Sequence, residues 1–312
     1  MQRHLIVVNP AAGRGAGRKS IPLIRDGLDR AGIAYDLVCT ERPWHAAELA
    51  QQASTDGYYA VVAAGGDGTA NEVINGLMQA SGGKGGSTAM GALSVGRGND
   101  FAFGAGIPKP LDEGIRTLAE DHRVRIDVGR VSGGLFPEGR FFGNGVGIGF
   151  DAVVGFEALK MRRLSGFVSY IAAALKTVWL YDQGPLVRLA FDAQAPEASL
   201  PVLMVSIMNG RRMGGGFMMA PDGRPTDGVF DVCVVRQVKR GRVLGLIPHF
   251  MRGTQVGQPE VTMHTPRRLV VTAERGVLPA HADGETLCTD GKELELELIP
   301  QSLDVITAGP IR

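Results

Sequence analysis

Cysteine is scarce: three among 312 residues, Cys39, Cys233 and Cys288, far apart and without a CxxC pair. That pattern excludes a disulfide framework and a cysteine zinc site, and it fits a reducing, intracellular compartment. Long apolar runs are also missing. The run at 5–8 stops at Asn9-Pro10, too short for the core of a signal peptide. Residues 164–179 are rich in apolar side chains, but Ser165, Ser169, Lys176 and Thr177 interrupt them, so the segment reads as a helix packed on protein and not as a membrane span. No charge of one sign dominates: 33 Lys and Arg oppose 32 Asp and Glu, a formal net charge of +1. No global field therefore favours nucleic acid. The six histidines show neither HExxH nor paired ligand spacing. Walker A and Rossmann glycine patterns are absent too.

What is abundant is glycine, at 45 residues, about twice its usual ~7% share. The glycines cluster between apolar runs, as expected for tight turns and close approach of backbone to ligands.

Two patterns divide the chain. In the first, strands at 4–8, 35–39, 58–64 and 89–95 alternate with helices at 19–31, 45–54 and 71–79. Ser20 is placed to cap the first of these helices and Pro22 sits in its first turn. Alternation of this kind predicts a parallel sheet covered on both faces, with ligands beyond the carboxyl ends of its strands. From about residue 123 strands dominate, at 124–131, 140–149, 186–191, 202–208, 229–235, 268–272 and 294–299. Only two helical stretches interrupt them, 152–181, broken at Gly166, and 239–252. The expected architecture is an α/β domain over 1–122, rejoined by a tail at 300–312, and a β-sandwich domain over 123–299, with the hinge at 120–123.

Three glycine-bearing loops leave strands of the first domain: Asn9-Pro10-Ala11-Ala12-Gly13, Gly65-Gly66-Asp67-Gly68-Thr69 and Gly96-Arg97-Gly98-Asn99-Asp100. Without side chains, backbone N–H groups can approach phosphate oxygens, and the helix after Gly66 offers its positive N-terminus. Asp67 can orient metal-bound water or a ribose, and Thr69 can donate a hydroxyl hydrogen bond.

The Gly65–Thr69 loop, the Gly96–Ala102 segment and a late Asp283-Gly284-Glu285 occur in the order seen in the diacylglycerol kinase catalytic-domain family, which the chain resembles over nearly its whole length. Asn9-Pro10, Thr40 ahead of His45-Ala46-Ala47-Glu48, Asn209-Gly210 ahead of Gly214-Gly215-Gly216, and Asp227-Gly228-Val229-Phe230-Asp231 extend the likeness. The resemblance implies an N-terminal three-layer α/β domain like that of NAD kinases and phosphofructokinases, a C-terminal β-sandwich, and ATP-dependent phosphorylation of a lipid hydroxyl. It implies nucleotide contacts from Asn9, Pro10, Gly13, Thr40, Gly65, Gly66, Asp67, Gly68, Thr69, Glu72, Arg97 and Asn99. Asp283 or Glu285 is the implied proton acceptor. A structural Mg2+ is implied at Asp227, helped by carbonyls such as those of Arg224 and Val229, with a second Mg2+ arriving with ATP.

Arg97 departs from the family, where threonine is usual: either its guanidinium takes over a phosphate contact or it turns away and weakens nucleotide binding. The expected partner is a lipid at a membrane surface, met through transient contact by a cytoplasmic, peripherally associated protein, with a homodimer allowed and no nucleic acid. Lys160, Arg162 and Arg163 ahead of the apolar helix, and Arg211 and Arg212 ahead of Met213 and Phe217-Met218-Met219, suit an anionic interface that admits acyl chains. An NAD kinase and a nucleotide- or lipid-binding regulator without catalysis are the alternatives.

Overall fold

The structure, a computed structural model, describes residues 2–161, 167–181, 183–195 and 198–311. Two compact units emerge: Met1–Val128 with Arg224–Asp227 and Ile299–Arg312, and Gly129–Gly223 with Gly228–Leu298. The boundary falls inside a continuous strand, past the change of pattern at 120–123. A change of element type in the sequence need not coincide with a division of contacts. The excursion of 224–227 into the first unit has no signature in the sequence.

The first unit holds β1 (His4–Val8), α1 (Ala12–Arg30), β2 (Tyr35–Cys39), α2 (His45–Thr55), β3 (Ala60–Gly65), α3 (Asp67–Ala80), β4 (Ala89–Ser94), α4 (Asp100–Gly104) and α5 (Leu111–Glu120). Then follow β5 (Arg123–Gly133), β6 (Phe136–Phe142), β7 (Gly145–Gly149), α6 (Phe150–Lys160), α7 (Phe167–Leu180), β8 (Leu186–Phe191), β9 (Leu200–Met208), β10 (Asp231–Arg236), α8 (Arg240–Arg252), β11 (Val261–His264), β12 (Arg268–Arg275), β13 (Leu278–Ala282), β14 (Glu285–Gly291) and β15 (Glu293–Ile306).

In the first unit the strand order is β2-β1-β3-β4, continued by the last part of β15, all parallel. β1 and β3 are buried along their whole length, as a sheet covered on both faces requires. Ile6, Val8, Val62 and Ala64 pack with Ile24 and Leu28 of α1 and with Ile115 and Leu118 of α5. The opposite face carries α2 and α3. These two helices pack closely at Gly76, where a Cβ would stand 2.1 Å from the Ala47 carbonyl oxygen.

α1 starts earlier than its sequence suggests. Gly13, Arg14 and Gly15 are left-handed (φ 57°, 60° and 92°), and regular helix follows them. Ser20 is inside that helix, donating its hydroxyl to the Gly17 carbonyl at 2.8 Å, and is not its cap. The expected strand 140–149 is two strands, β6 and β7, broken at Gly143-Asn144.

The second unit is a β-sandwich. One antiparallel sheet runs β14-β13-β7-β9-β10-β11, and the other contains β8, β12, the start of β15, β5 and β6. Val146 and Ile148, Val232 and Val234, Leu269 and Val271, and Leu294 and Leu296 share its core. Phe142 and Phe230 stack at its centre, centroids 5.7 Å apart. Alternation sends Cys233 and Val235 of β10 to the outer face, where α6, α7 and α8 cover the sheet in a second apolar layer. No described helix is long and apolar enough to cross a membrane. Arg162, Arg163 and Gly166 lie outside the described residues.

Candidate functional site

The three loops of the first unit leave the carboxyl ends of β1, β3 and β4, which are neighbours, and their backbones interlock. Asn9 Nδ2 donates to Thr69 Oγ1 at 3.1 Å, while Asn9 Oδ1 accepts the Ala11 amide at 3.0 Å. The Gly96 amide donates to the Gly65 carbonyl at 2.9 Å. A Cβ on Gly96 would fall 2.3 Å from Gly66 Cα, and one on Gly13 would fall 2.5 Å from the Val95 carbonyl oxygen. Each loop is thus bare because another loop occupies the space a side chain would need. Thr40, whose amide donates to the Val8 carbonyl at 2.8 Å, ends β2 at the same rim, and Pro10 follows Asn9 there.

Gly66 is the N-cap of α3 and has no side chain to close it. The first helical bond runs from the Ala70 amide to the Gly66 carbonyl at 3.0 Å, so the amides of Asp67, Gly68 and Thr69 have no helical acceptor. Such an end binds anions. Asp67 Oδ1 accepts the Phe101 amide at 3.0 Å, tying the second loop to the third, and a Cβ on Gly98 would meet Asp67 Oδ2 at 2.8 Å. Asn99, left-handed at φ 54° and buried, donates from Nδ2 to the Gly96 carbonyl at 3.1 Å. It holds the loop from within. Arg97 is exposed and pairs with no described residue. Glu72 faces elsewhere as well: its Oε2 accepts the Ala46 amide at 3.0 Å, closing the N-terminus of α2.

In the second unit Asp283 is 6% exposed and sits in a left-handed turn at φ 47°. Its Oδ2 accepts the Gly143 amide at 2.9 Å, and its Oδ1 accepts those of Asn144 at 3.1 Å and Gly145 at 2.9 Å. The carboxylate therefore fixes the break between β6 and β7. Glu285, two residues on, is exposed; its main chain pairs with Ala282, and no described residue engages its carboxylate.

Among the described residues no three His, Cys, Asp or Glu side chains cluster as a metal site would require. Of the expected magnesium ligands, Arg224 and Asp227 belong to the first unit and Val229 to the second. Asp227 with main-chain carbonyls is an oxygen donor set that suits a hard cation, carrying a single negative charge. Lys160, expected at an anionic interface, is ion-paired with Glu157 at 2.5 Å, and Lys176 joins the same carboxylate at 2.6 Å. Both cations pull the Glu157 carboxyl below its ordinary value.

Sequence reasoning passed over one region. β7 reads Gly145-Val146-Gly147-Ile148-Gly149, which clears one face of side chains at every second residue. A Cβ on Gly147 would lie 2.5 Å from Asp151 Oδ2 and 2.7 Å from His281 Nε2, and one on Gly149 would lie 3.3 Å from the Tyr181 hydroxyl. Ser206 Oγ donates to Asp151 Oδ2 at 3.0 Å. Asp151 also lines an apolar pocket of ≈ 460 Å3, counting its open mouth, with Phe150, Leu203, Met204, Leu246 and Phe250. Burial pushes the Cys233 thiol up to about 12, and the charge of Asp151 adds to the effect. The glycine alternation is the signal that could have revealed this face.

Residues 3–131 match the diacylglycerol kinase catalytic domain, and residues 144–307 match the YegS C-terminal NAD kinase beta sandwich-like domain. A probable lipid kinase YegS-like from Chromohalobacter salexigens is 32% identical over 222 residues, 69% of this chain and 67% of that protein. A diacylglycerol kinase from Bacillus subtilis is 26% identical over 288 residues, 91% of this chain and 90% of the relative. A crystal structure of a putative diacylglycerol kinase from Bacillus anthracis has the same fold, with a TM-score of 0.80 at 20% identity, covering 100% of this chain and 97% of the other. Yeast NADH kinase shares the fold more distantly, at a TM-score of 0.54 and 8% identity, over 98% of this chain and 84% of that one. With both of its domains matched in order, the chain belongs to the diacylglycerol kinase catalytic-domain family of lipid kinases.

Proposed function

We propose that the chain transfers the γ-phosphate of ATP to the hydroxyl of an uncharged lipid of diacylglycerol or sphingoid type. The observation that carries this reading is the interlocking of three bare loops at one sheet rim, with the open N-terminus of α3 among them. Phosphoryl transfer asks little covalent chemistry of a protein; it asks for positioning and for charge stabilisation. Loop amides and Thr69 hold the phosphates, and Arg97, which has no partner among the described residues, supplies a charged fork to them. Mg2+ would offset phosphate charge when it arrives with ATP, where Asp67 could orient its bound water, and Asp227 with main-chain carbonyls would hold the separate structural ion.

The proton of the attacking hydroxyl goes to Glu285. Asp283 has its oxygens committed to three amides and acts by fixing the Gly143–Gly145 turn, whereas Glu285 has lone pairs to offer. The lipid is met at a membrane surface. Val168, Leu175, Trp179 and Leu180 of α7 are exposed, which supports a transient apolar contact there.

γ-Labelled ATP and Mg2+ supplied with separate arms of diacylglycerol, sphingosine, ceramide and NAD test the reading. Label extracted with a lipid arm is expected. Label in the NAD arm alone, or in none, overturns it.

A further inference from the structure

At the end of the first sheet opposite the three loops lies a cluster of titratable side chains. His4 opens β1 and is 6% exposed, and neither nitrogen of its ring has a hydrogen-bond partner among the described residues. Its ring meets that of Tyr59 edge-on, with centroids 5.4 Å apart. The Arg123 guanidinium lies over the same Tyr59 ring, 4.1 Å from the centroid. Tyr59 donates its hydroxyl to Asp121 Oδ2, and Arg123 Nε donates to Asp121 Oδ1 at 3.1 Å. Arg123 Nη2 is buried without a partner.

The four residues come from four pieces of the first unit. His4 begins the first strand, Tyr59 stands just ahead of β3, Asp121 is the left-handed C-cap of α5 (φ 50°), and Arg123 begins β5. Main-chain bonds run beside them. The Tyr59 amide donates to the Arg3 carbonyl at 2.9 Å, and the Thr307 amide of the carboxyl-terminal tail donates to the His122 carbonyl at 2.8 Å. The cluster therefore fastens β1, α5, β5 and the tail at one place.

Charge decides what this place tolerates. A neutral imidazole leaves one donor and one acceptor unpaired here, whereas an imidazolium would leave two donors and a positive charge. The surroundings offer that charge little. The Ala34 carbonyl already accepts the His4 main-chain N–H at 2.9 Å. Asp121 attracts it, but both oxygens of Asp121 are engaged, and Arg123 repels it. Tyr35, opposite His4 on β2, carries a phenol that desolvation and Asp29 push up, so it stays neutral. Arg3, next in the chain, is turned to Asp36 at 2.6 Å, and His122 is exposed. Burial accordingly holds the His4 imidazole below its ordinary value, against the upward pull of the Ala34 carbonyl and Asp121 and with the downward push of Arg123.

We propose that this cluster is an acid-opened latch on the first unit: a proton taken up by His4 draws Asp121 off Tyr59 and Arg123, and the amino end of β1 parts from α5 and β5. In an unfolded chain His4 takes its proton at about pH 6.5; in the folded one it does so only at lower pH. The stability given by the latch is whole above pH 6.5. It is lost as the pH falls from there through the folded value, by at most about tenfold in the folding constant per pH unit. β1 runs from the latch to Asn9 at the loop rim, so the strand itself carries the loosening toward the loops.

The test uses the full chain without ATP or lipid, so it stands whether or not the lipid-kinase reading holds. NMR titration of the wild-type imidazoles is expected to place His4 below pH 6.5, its signal assigned by its loss in His4→Phe. A midpoint at or above 6.5 overturns the proposal. Urea unfolding, followed at the β1 amides between pH 7.5 and 4.5, is expected to show wild type losing about tenfold in folding constant relative to His4→Phe. That difference cancels the contributions of the other histidines, buried His281 included. Parallel curves for the two proteins overturn the latch. If His4→Phe does not fold, His4→Gln, equally uncharged, takes its place in both measurements.

Discussion

The two units build their candidate sites from opposite materials. The first uses main chain: Gly13, Gly66 and Gly96 bring three loops within touching distance, and the groups offered to a ligand are amides. The second uses side chains from distant positions, Asp151, Ser206, His281 and Asp283, gathered on a strand whose glycines make way for them. A backbone site tolerates no added atom, because its walls are other backbones. A side-chain site tolerates changes of bulk better and changes of charge worse.

The largest break in that contrast should come from Gly96→Ala. Its methyl would sit 2.3 Å from Gly66 Cα, on backbone that cannot swing aside. ATP binding, followed by calorimetry, is expected to fall by more than ~100-fold while lipid binding to the second unit persists, a size in keeping with a displaced positioning group. Loss of both together would show that the sites are not built separately.

Glu285→Gln should lower kcat by about 100- to 10,000-fold, the range for removing a general base, with both Michaelis constants and the melting temperature unchanged. Near-normal turnover would return the role to Asp283. Phe142→Ala removes half of the Phe142–Phe230 stack just ahead of the Gly143–Gly145 turn. It is expected to destabilise by about 3–5 kcal/mol in denaturant titration and to weaken lipid binding more than ATP binding. Equal losses would erase the distinction drawn here. The smallest effect is assigned to Arg97→Ala. Because Arg97 is exposed, its loss should raise the KM for ATP by several-fold, about 1 kcal/mol for a partly solvated charge. An unchanged KM would remove the guanidinium from the phosphates.

The first unit was legible because its chemistry is contiguous. Gly65–Thr69 is a strand end, a bare turn and a helix start in five residues, and periodicity on either side places it at the sheet rim. Even there, local reading failed where packing overrode propensity. Ser20 resembles a cap but lies within α1, since the left-handed run at 13–15 lets the helix begin early. Glu72, which the family resemblance implies as a nucleotide contact, has one oxygen on the Ala46 amide at the start of α2, a contact set by how α2 packs on α3. In the second unit β8 could be read to its ends, while β11, β13 and β14 went unread: β11 has only four residues, and β13 and β14 pair with register shifts that blur their periodicity.

Sequence alone determined the alternation of strand and helix, the three glycine turns, the Asp283-Gly284-Glu285 turn and the family. Each is carried by residues adjacent in the chain, so local sterics and backbone hydrogen bonding suffice to announce it. Tertiary structure decided which carboxylate is committed and which is open, that Asp151 meets Ser206 across 55 positions, and where β6 ends and β7 begins. Those outcomes depend on strand register, and register is set by the burial of a shared core that no single segment encodes.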